Sequence, residues 1–331
     1  MADPTGAVVA DEILQREILP TIFPGPPSTS PVVALVSGQP GGGRGRAAVR
    51  IAAAEGAAVL SGDELRAFHP IVQSQRLLSG EQQQEVAAAT AGWLRECLRY
   101  ARTDGHSVVL EGAFTDAAVV RGAAAQFAAA GFGTGVTVVG ARRADSLLAV
   151  LSHYLRNVQA SNPATYTSHS AHDLGLDGTR TLVAALEADP GVDRLSVVDG
   201  RGDVVFDADR RDAGAFAGAS AALAATQGGR MSRLESTQWL SELHHVTAFA
   251  QSRRGLPRDV TVTLVELHEI ALSEVIPQLH VPAGARFAKM TARTTSAQLA
   301  ALHESLIGPA QPDAAAPVVV PAGPERGGIS R

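Results

Sequence analysis

From Val32 the chain reads VVALVSGQPGGGRGRAAVRIAAAE, and no other stretch limits the possible folds as tightly. Five consecutive apolar residues, Val32–Val36, predict a strand covered on both faces, as in a parallel sheet. Gly38–Gly45 predicts a loop, and residues 46–55 predict the helix after it. Strand, glycine-rich loop and helix together give the context of the phosphate-loop pattern G-x-x-x-x-G-K-[ST]. Gly38 and Gly43 fill its fixed glycines. Arg44 stands where Lys is expected, and Gly45 where Ser or Thr is expected.

Such a loop works because glycines let backbone N–H groups converge on phosphate oxygens, while the positive end of the next helix faces the same point. Gly38, Gly41, Gly42, Gly43 and Gly45 supply that freedom. The alternative is a glycine-rich turn with no ligand; the strand–loop–helix context weighs towards phosphate. In a working loop the hydroxyl binds Mg²⁺ and the Lys reaches the β- and γ-phosphates. Gly45 has no oxygen to offer a metal. Arg44 is a wide planar fork that can pair with phosphate through two hydrogen bonds. Arg46 adds a second cation, and the two together would offset phosphate charge with little help from Mg²⁺. Lys289 is the only lysine in the chain, so a general drift from Lys to Arg is the bland explanation for Arg44.

The rest of the chain alternates strands and helices. Strands are predicted at residues 57–60, 107–112 and 135–141, with two short ones around a glycine turn within Asp193–Asp207. Helices are predicted at residues 81–101, 117–130 and 144–159. That alternation implies parallel βαβ units. The expected fold is therefore α/β: a P-loop NTPase-like open parallel sheet flanked by helices, with a helical C-terminal portion. The organisation reads as residues 1–31 for an N-terminal helix and a Pro-rich linker, with residues 1–9 disordered and the helix stopped at Pro20. Residues 32–212 form the P-loop kinase-like core and residues 213–307 the helical portion. Residues 308–331 form a disordered Pro/Ala/Gly tail.

Composition sets limits on function. A net charge of −5 gives no electrostatic case for nucleic acid. A single cysteine, Cys97, reads as a small buried residue in a reducing compartment. No leader-like segment and no run near ~20 apolar residues is present, so a cytoplasmic protein away from membranes is expected.

Outside the loop, Asp63 follows a predicted parallel strand, where α/β proteins collect catalytic groups. It reads as a proton acceptor for a substrate hydroxyl, as a Mg²⁺ holder, or as a helix N-cap. "HEIAL" and "ELHH" lack metal-ligand spacing, and their histidines read as helix surface or edge. "SHSAHD" (Ser168–Asp173) reads as a polar loop without a nucleophile elbow. Arg142 and Arg143 read equally well as phosphate ligands or as a solvated pair. Trp93 reads as core.

Taken in order, "EILP", "GQPGGG", "GDELRAFHP" and "LEG" resemble the zeta toxin family, the phosphate-loop kinases of bacterial toxin–antitoxin systems. The family loop G-Q-P-G-A-G-K-[ST] is followed by D-x-x-R-x-x-H-P, and Asp63, Arg66, His69 and Pro70 match the latter at every fixed position. The resemblance implies ATP-dependent phosphorylation of UDP-N-acetylglucosamine on a sugar hydroxyl. It implies Asp63 as the base, Glu111 in contact with the sugar nucleotide, Arg66 and His69 on the substrate side, and a separate antitoxin as partner. Four departures accompany it. The loop carries Arg44–Gly45, and Ala113 replaces a substrate-binding hydroxyl. His153 stands where an Arg precedes the Tyr, and Thr165 where a second phosphate-clamping Arg is expected. Arg156, one turn from His153, is the candidate substitute. The resemblance thus predicts ATP, with Mg²⁺ deprived of its usual ligand, and weak or altered transfer. Two alternatives stand beside it: a nucleotide-binding or protein-interaction module that transfers nothing, and a kinase for another nucleotide-like acceptor.

Overall fold

The computed structural model describes residues 4–74, 79–162, 166–212, 214–280 and 285–307. Thr165 and the tail from 308 lie outside them. The chain opens with α1 (Pro4–Ile13), a π-helical turn (Leu14–Ile18) and α2 (Leu19–Ile22). Residues 4–9 are thus helical rather than disordered, and Trp93 Nε1–H donates to the Ala10 carbonyl at 2.9 Å, holding this arm. The helix also passes Pro20. In the wide turn the Leu19 N–H bonds to the Leu14 carbonyl, and Pro20 falls at the start of the next helical segment, where no N–H is required.

Next come β1 (Val32–Gly38), α3 (Arg44–Glu55), β2 (Ala58–Leu60), α4 (Gly62–Arg66), α5 (Pro70–Ser74), α6 (Gly80–Asp104) and β3 (Val108–Glu111). They are followed by α7 (Ala117–Ala128), β4 (Gly133–Gly140), α8 (Arg143–Gln159), α9 (His169–Ala188), β5 (Arg194–Asp199) and β6 (Val204–Asp209). One six-stranded sheet results, in the order β2-β3-β1-β4-β5-β6. The pairs β2–β3, β3–β1, β1–β4 and β4–β5 are parallel. β5 and β6 form an antiparallel edge, because the Asp199–Asp203 turn is too short for a crossover. The fold is a mixed, mostly parallel sheet with helices on both faces. α3 covers one face over β1–β3, and α7, α9 and α10 (Ala219–Gly228) cover the other.

β1 is central, flanked by β3 and β4. The chain runs outward through α3 to β2 on one side and crosses through α7 to β4 on the other. The loop after β1 therefore opens at a switch point on the carboxyl edge of the sheet, where α/β proteins bind ligands. The apolar runs earn their places: Val33, Leu35, Val108, Leu110, Val136 and Val138 are all buried between the layers.

Beyond the sheet lie α11 (Arg233–Ser252), α12 (Arg258–Ile270), a π-turn and a 3₁₀ turn through Leu279, and α13 (Arg286–Ile307). A second apolar cluster joins them to α8: Leu147, Leu151 and Leu155 pack with Leu243, Leu264 and Leu267. Two expectations change here. "SHSAHD" is the start of α9 rather than a loop: Ser168 caps it by accepting the Ala171 N–H at 3.2 Å, and His172 is fully buried. His268 is also fully buried rather than at a helix surface, its Nδ1 donating to the Leu264 carbonyl at 2.7 Å. No helix among the described residues is long and apolar enough to cross a membrane.

Candidate functional site

The loop between β1 and α3 turns on glycines that are required where they stand. Gly43 is the N-cap of α3 with φ 102°, and Gly41 has φ 73°. A side chain on Gly41 would run into the Ser146 carbonyl of α8. The Gly42 N–H closes the turn on the Gln39 carbonyl at 3.1 Å. No side chain caps α3, so the donors of its first turn face the loop without a side-chain acceptor, the arrangement that receives an anion.

This helix end opens on a cavity of about 540 Å³ lined by Gly41, Gly43, Arg44, Gly45 and Glu111, with α8 contributing Asp145, Ser152, His153 and Arg156 and α11 contributing Trp239 and Glu242. Of the residues picked out in the sequence, Gly41, Gly43, Arg44, Gly45 and Glu111 meet there. Gly38, Gly42, Arg46, Asp63, Arg66 and His69 are off its lining.

The cations are engaged. Arg44 is helical rather than in the loop; its Nε lies 3.4 Å from Glu111 Oε1, and both side chains are about one-fifth exposed. Arg46 does not stand beside Arg44 over the loop: its Nη1 donates to the Gly200 carbonyl at 3.2 Å. The geometric cause is the β5–β6 turn, which packs against the loop and also takes Arg50 on the Arg201 carbonyl at 3.0 Å. Arg156 reaches the cavity, paired with Glu242 at 2.6 Å.

Asp63 lies in the first turn of α4, exposed, and the N-cap is Ser61, which accepts the Glu64 N–H at 3.1 Å. Glu64 was not singled out in the sequence. Although Glu64 is exposed, partial desolvation pushes its carboxyl up, and the charges of Glu111 and Asp63 add to the rise against the Ser61 hydrogen bonds. His69 is buried: its Nδ1 accepts the Ile71 N–H at 3.3 Å and its ring packs 5.8 Å from Trp93. Desolvation lowers its pKa, so it holds the turn into α5 as a neutral ring. Arg66 is half-buried on α4.

Arg142 and Arg143 are neither solvated nor aimed at the loop. Arg142 pairs with Asp145 at 2.6 Å and Glu235 at 2.9 Å. Arg143 forks onto both Asp173 oxygens at 2.8 and 2.7 Å and reaches Glu266 at 2.8 Å. The Asp173 hydrogen bonds raise the Arg143 pKa against desolvation. These junctions bolt α11 and α12 to the start of α8. Trp239 and Glu242 had no signal in the sequence, since their place at the cavity depends on that long-range packing.

Among curated proteins, none matches this chain. Among solved structures, one from the PezAT chromosomal toxin–antitoxin system of Streptococcus pneumoniae superposes with a TM-score of 0.61 at 18% identity, covering 74% of this chain and 98% of that one. An AvrRxo1-ORF1:AvrRxo1-ORF2 structure with ATP gives a TM-score of 0.46 at 14% identity, covering 90% of this chain and 88% of that one. The PezAT likeness is one of fold. The family model described as zeta toxin matches residues 16–211. That match spans more than half of the chain, which belongs to the zeta toxin family.

Proposed function

We propose that this chain grips the phosphate tail of ATP at the Gly38–Arg46 loop and passes phosphate, at reduced rate, to a hydroxyl of a sugar nucleotide such as UDP-N-acetylglucosamine. One observation carries the reading: the uncapped first turn of α3 behind a glycine loop, facing a cavity walled by Glu111. ATP fits that donor set, with Gly41, Gly42, Gly43, Arg44 and Gly45 holding its phosphates, and when bound it supplies the transferable phosphoryl group. Mg²⁺ fits less well. Gly45 has no side-chain oxygen, and among the described residues no three metal-type side chains gather.

In this reading Asp63 accepts the proton of the attacking hydroxyl, and Glu111 and Arg66 orient the acceptor. His69 acts through the turn it holds. A separate antitoxin is the expected protein partner. The Arg44–Glu111 pair explains the reduced rate: the loop cation is shared with a carboxylate when it should serve phosphate alone. The same pair favours a second reading, a module that binds nucleotide and transfers nothing.

Glu111→Gln separates these roles. Freed from its partner, Arg44 turns to phosphate, and ATP binds about two- to fivefold tighter, the scale of a partly exposed ion pair. Transfer from labelled ATP to a panel of UDP-sugars and nucleotides falls, since the acceptor loses a contact. Calorimetry and the transfer assay read the two effects. Weaker ATP binding in the variant contradicts the pairing argument, and a wild-type chain that binds ATP but labels nothing selects the second reading.

A further inference from the structure

A buried chain of hydrogen bonds runs from the loop into the helices. Gln39, the loop residue after Gly38, is fully buried. Its Nε2 donates to the Ala141 carbonyl and to Ser146 Oγ, each at 2.8 Å, and its Oε1 accepts from Gln227 at 3.1 Å. Ser146 Oγ lies 2.8 Å from His172 Nε2. His172 Nδ1 lies 3.0 Å from Asp173 Oδ1, the carboxylate that Arg143 grips before reaching Glu266 of α12.

The direction of each bond follows from its ends. Burial works to raise the Asp173 pKa, but the hydrogen bonds from Arg143 and His172 outweigh it and the carboxyl is held low. Asp173 is then acceptor-only, so His172 Nδ1 donates. Desolvation lowers the His172 pKa, leaving Nε2 a neutral acceptor for the Ser146 hydroxyl proton. That contact is shorter than the alternatives to the Arg142 and Arg143 carbonyls, at 3.2 and 3.3 Å. The lone pairs of Ser146 are thereby left for Gln39. A Ser–His–Asp set of this kind suggests a nucleophile, yet Ser146 and His172 are both fully buried. No substrate reaches them.

We propose that Ser146 and His172 are positioning residues of the phosphate loop, holding it through Gln39 to α8, α9 and the C-terminal helices. Ser146 acts twice, since its hydroxyl fixes Gln39 while its carbonyl sets the space under Gly41. Gly175 of α9 abuts Pro40 from the other side. The anchor runs through Arg143 to Glu266, and Glu266 lies beyond the segment that the family model matches. The effect on nucleotide binding rests on the proposed reading of the loop; the effect on loop geometry does not.

Hydrogen exchange read by mass spectrometry on the full chain without nucleotide tests this. Ser146→Ala removes one hydroxyl with little change in volume. Val86→Ala, buried on α6 and outside the second apolar cluster, is the control at matched loss of Tm. Amides of residues 37–47 in Ser146→Ala are expected to exchange about tenfold faster than in the control, the scale of a buried hydrogen bond lost with its partner left unsatisfied. If Ser146→Ala fails to fold, Asp173→Asn is read in the same way. Loop exchange equal to the control overturns the proposal. Faster loop exchange in a protein whose wild type binds no ATP upholds the positioning role and removes the nucleotide reading alone.

Discussion

Asp63→Asn is expected to lower phosphoryl transfer by about two to four orders of magnitude, the usual contribution of a general base, while ATP affinity stays put. Asp63 sits in the first turn of α4, exposed, beyond the end of β2 and beside the strand that ends in Glu111. Asn keeps the shape and removes the basic oxygen. The fold is insulated from the change because Ser61 caps α4, and an exposed substitution of this type shifts stability by no more than about 0.5 kcal/mol. Initial rates with labelled ATP and a UDP-sugar, beside calorimetry with ATP alone, read the two quantities separately. A transfer rate equal to wild type removes Asp63 from the chemistry, and a matching fall in ATP affinity makes it a binding group.

Gly41→Ala is expected to remove ATP binding almost wholly. At φ 73° an L-residue is strained, and the new Cβ would overlap the Ser146 carbonyl and lie 2.9 Å from Val150 Cγ2. Backbone from α8 cannot step aside cheaply, so the loop must move. Overpacking of this sort costs about 1–3 kcal/mol, and left-handed backbone adds about 1–2 kcal/mol. The displaced amides no longer converge, and ATP affinity falls by about thirtyfold or more, at a factor of ten per ~1.4 kcal/mol. The measurement is a melting shift with and without ATP in wild type and variant. A variant that melts earlier yet keeps the wild-type ATP shift argues that the loop is not the phosphate site.

The central strands were legible because they are buried on both faces and so appear as apolar runs: Val32–Val36 and Val108–Leu110 unbroken, and Val136–Val139 interrupted only by the buried Thr137. The loop was legible because glycine at Gly41 and Gly43 answers a local backbone demand. α9 was not, since it starts in Ser, His and Asp and carries Gly175 and Gly178, all poor helix formers. Those two glycines are there for close approach to Pro40 and Thr115, a tertiary reason that no local window contains. Arg46 misled for a similar cause. Nothing near it in sequence signals the Gly200 carbonyl, 154 residues away, that takes its charge. His268 looked like a helix edge because its polarity outweighed its place on the inner stripe of α12, where Leu264 and Leu267 also lie buried. Trp239 and Glu242 came to the cavity through the Arg142–Glu235 and Arg143–Glu266 junctions, which join parts of the chain roughly a hundred residues apart.

The most direct test of the account is an ATP titration by calorimetry, run once with Mg²⁺ and once with EDTA. A loop that holds phosphate by backbone amides and Arg44, with Gly45 in place of the metal-binding hydroxyl, predicts saturable binding of similar strength in both. Heat that vanishes in EDTA contradicts the metal-independent grip. The absence of heat in both, for ATP and for UDP-linked sugars alike, contradicts the phosphate site itself.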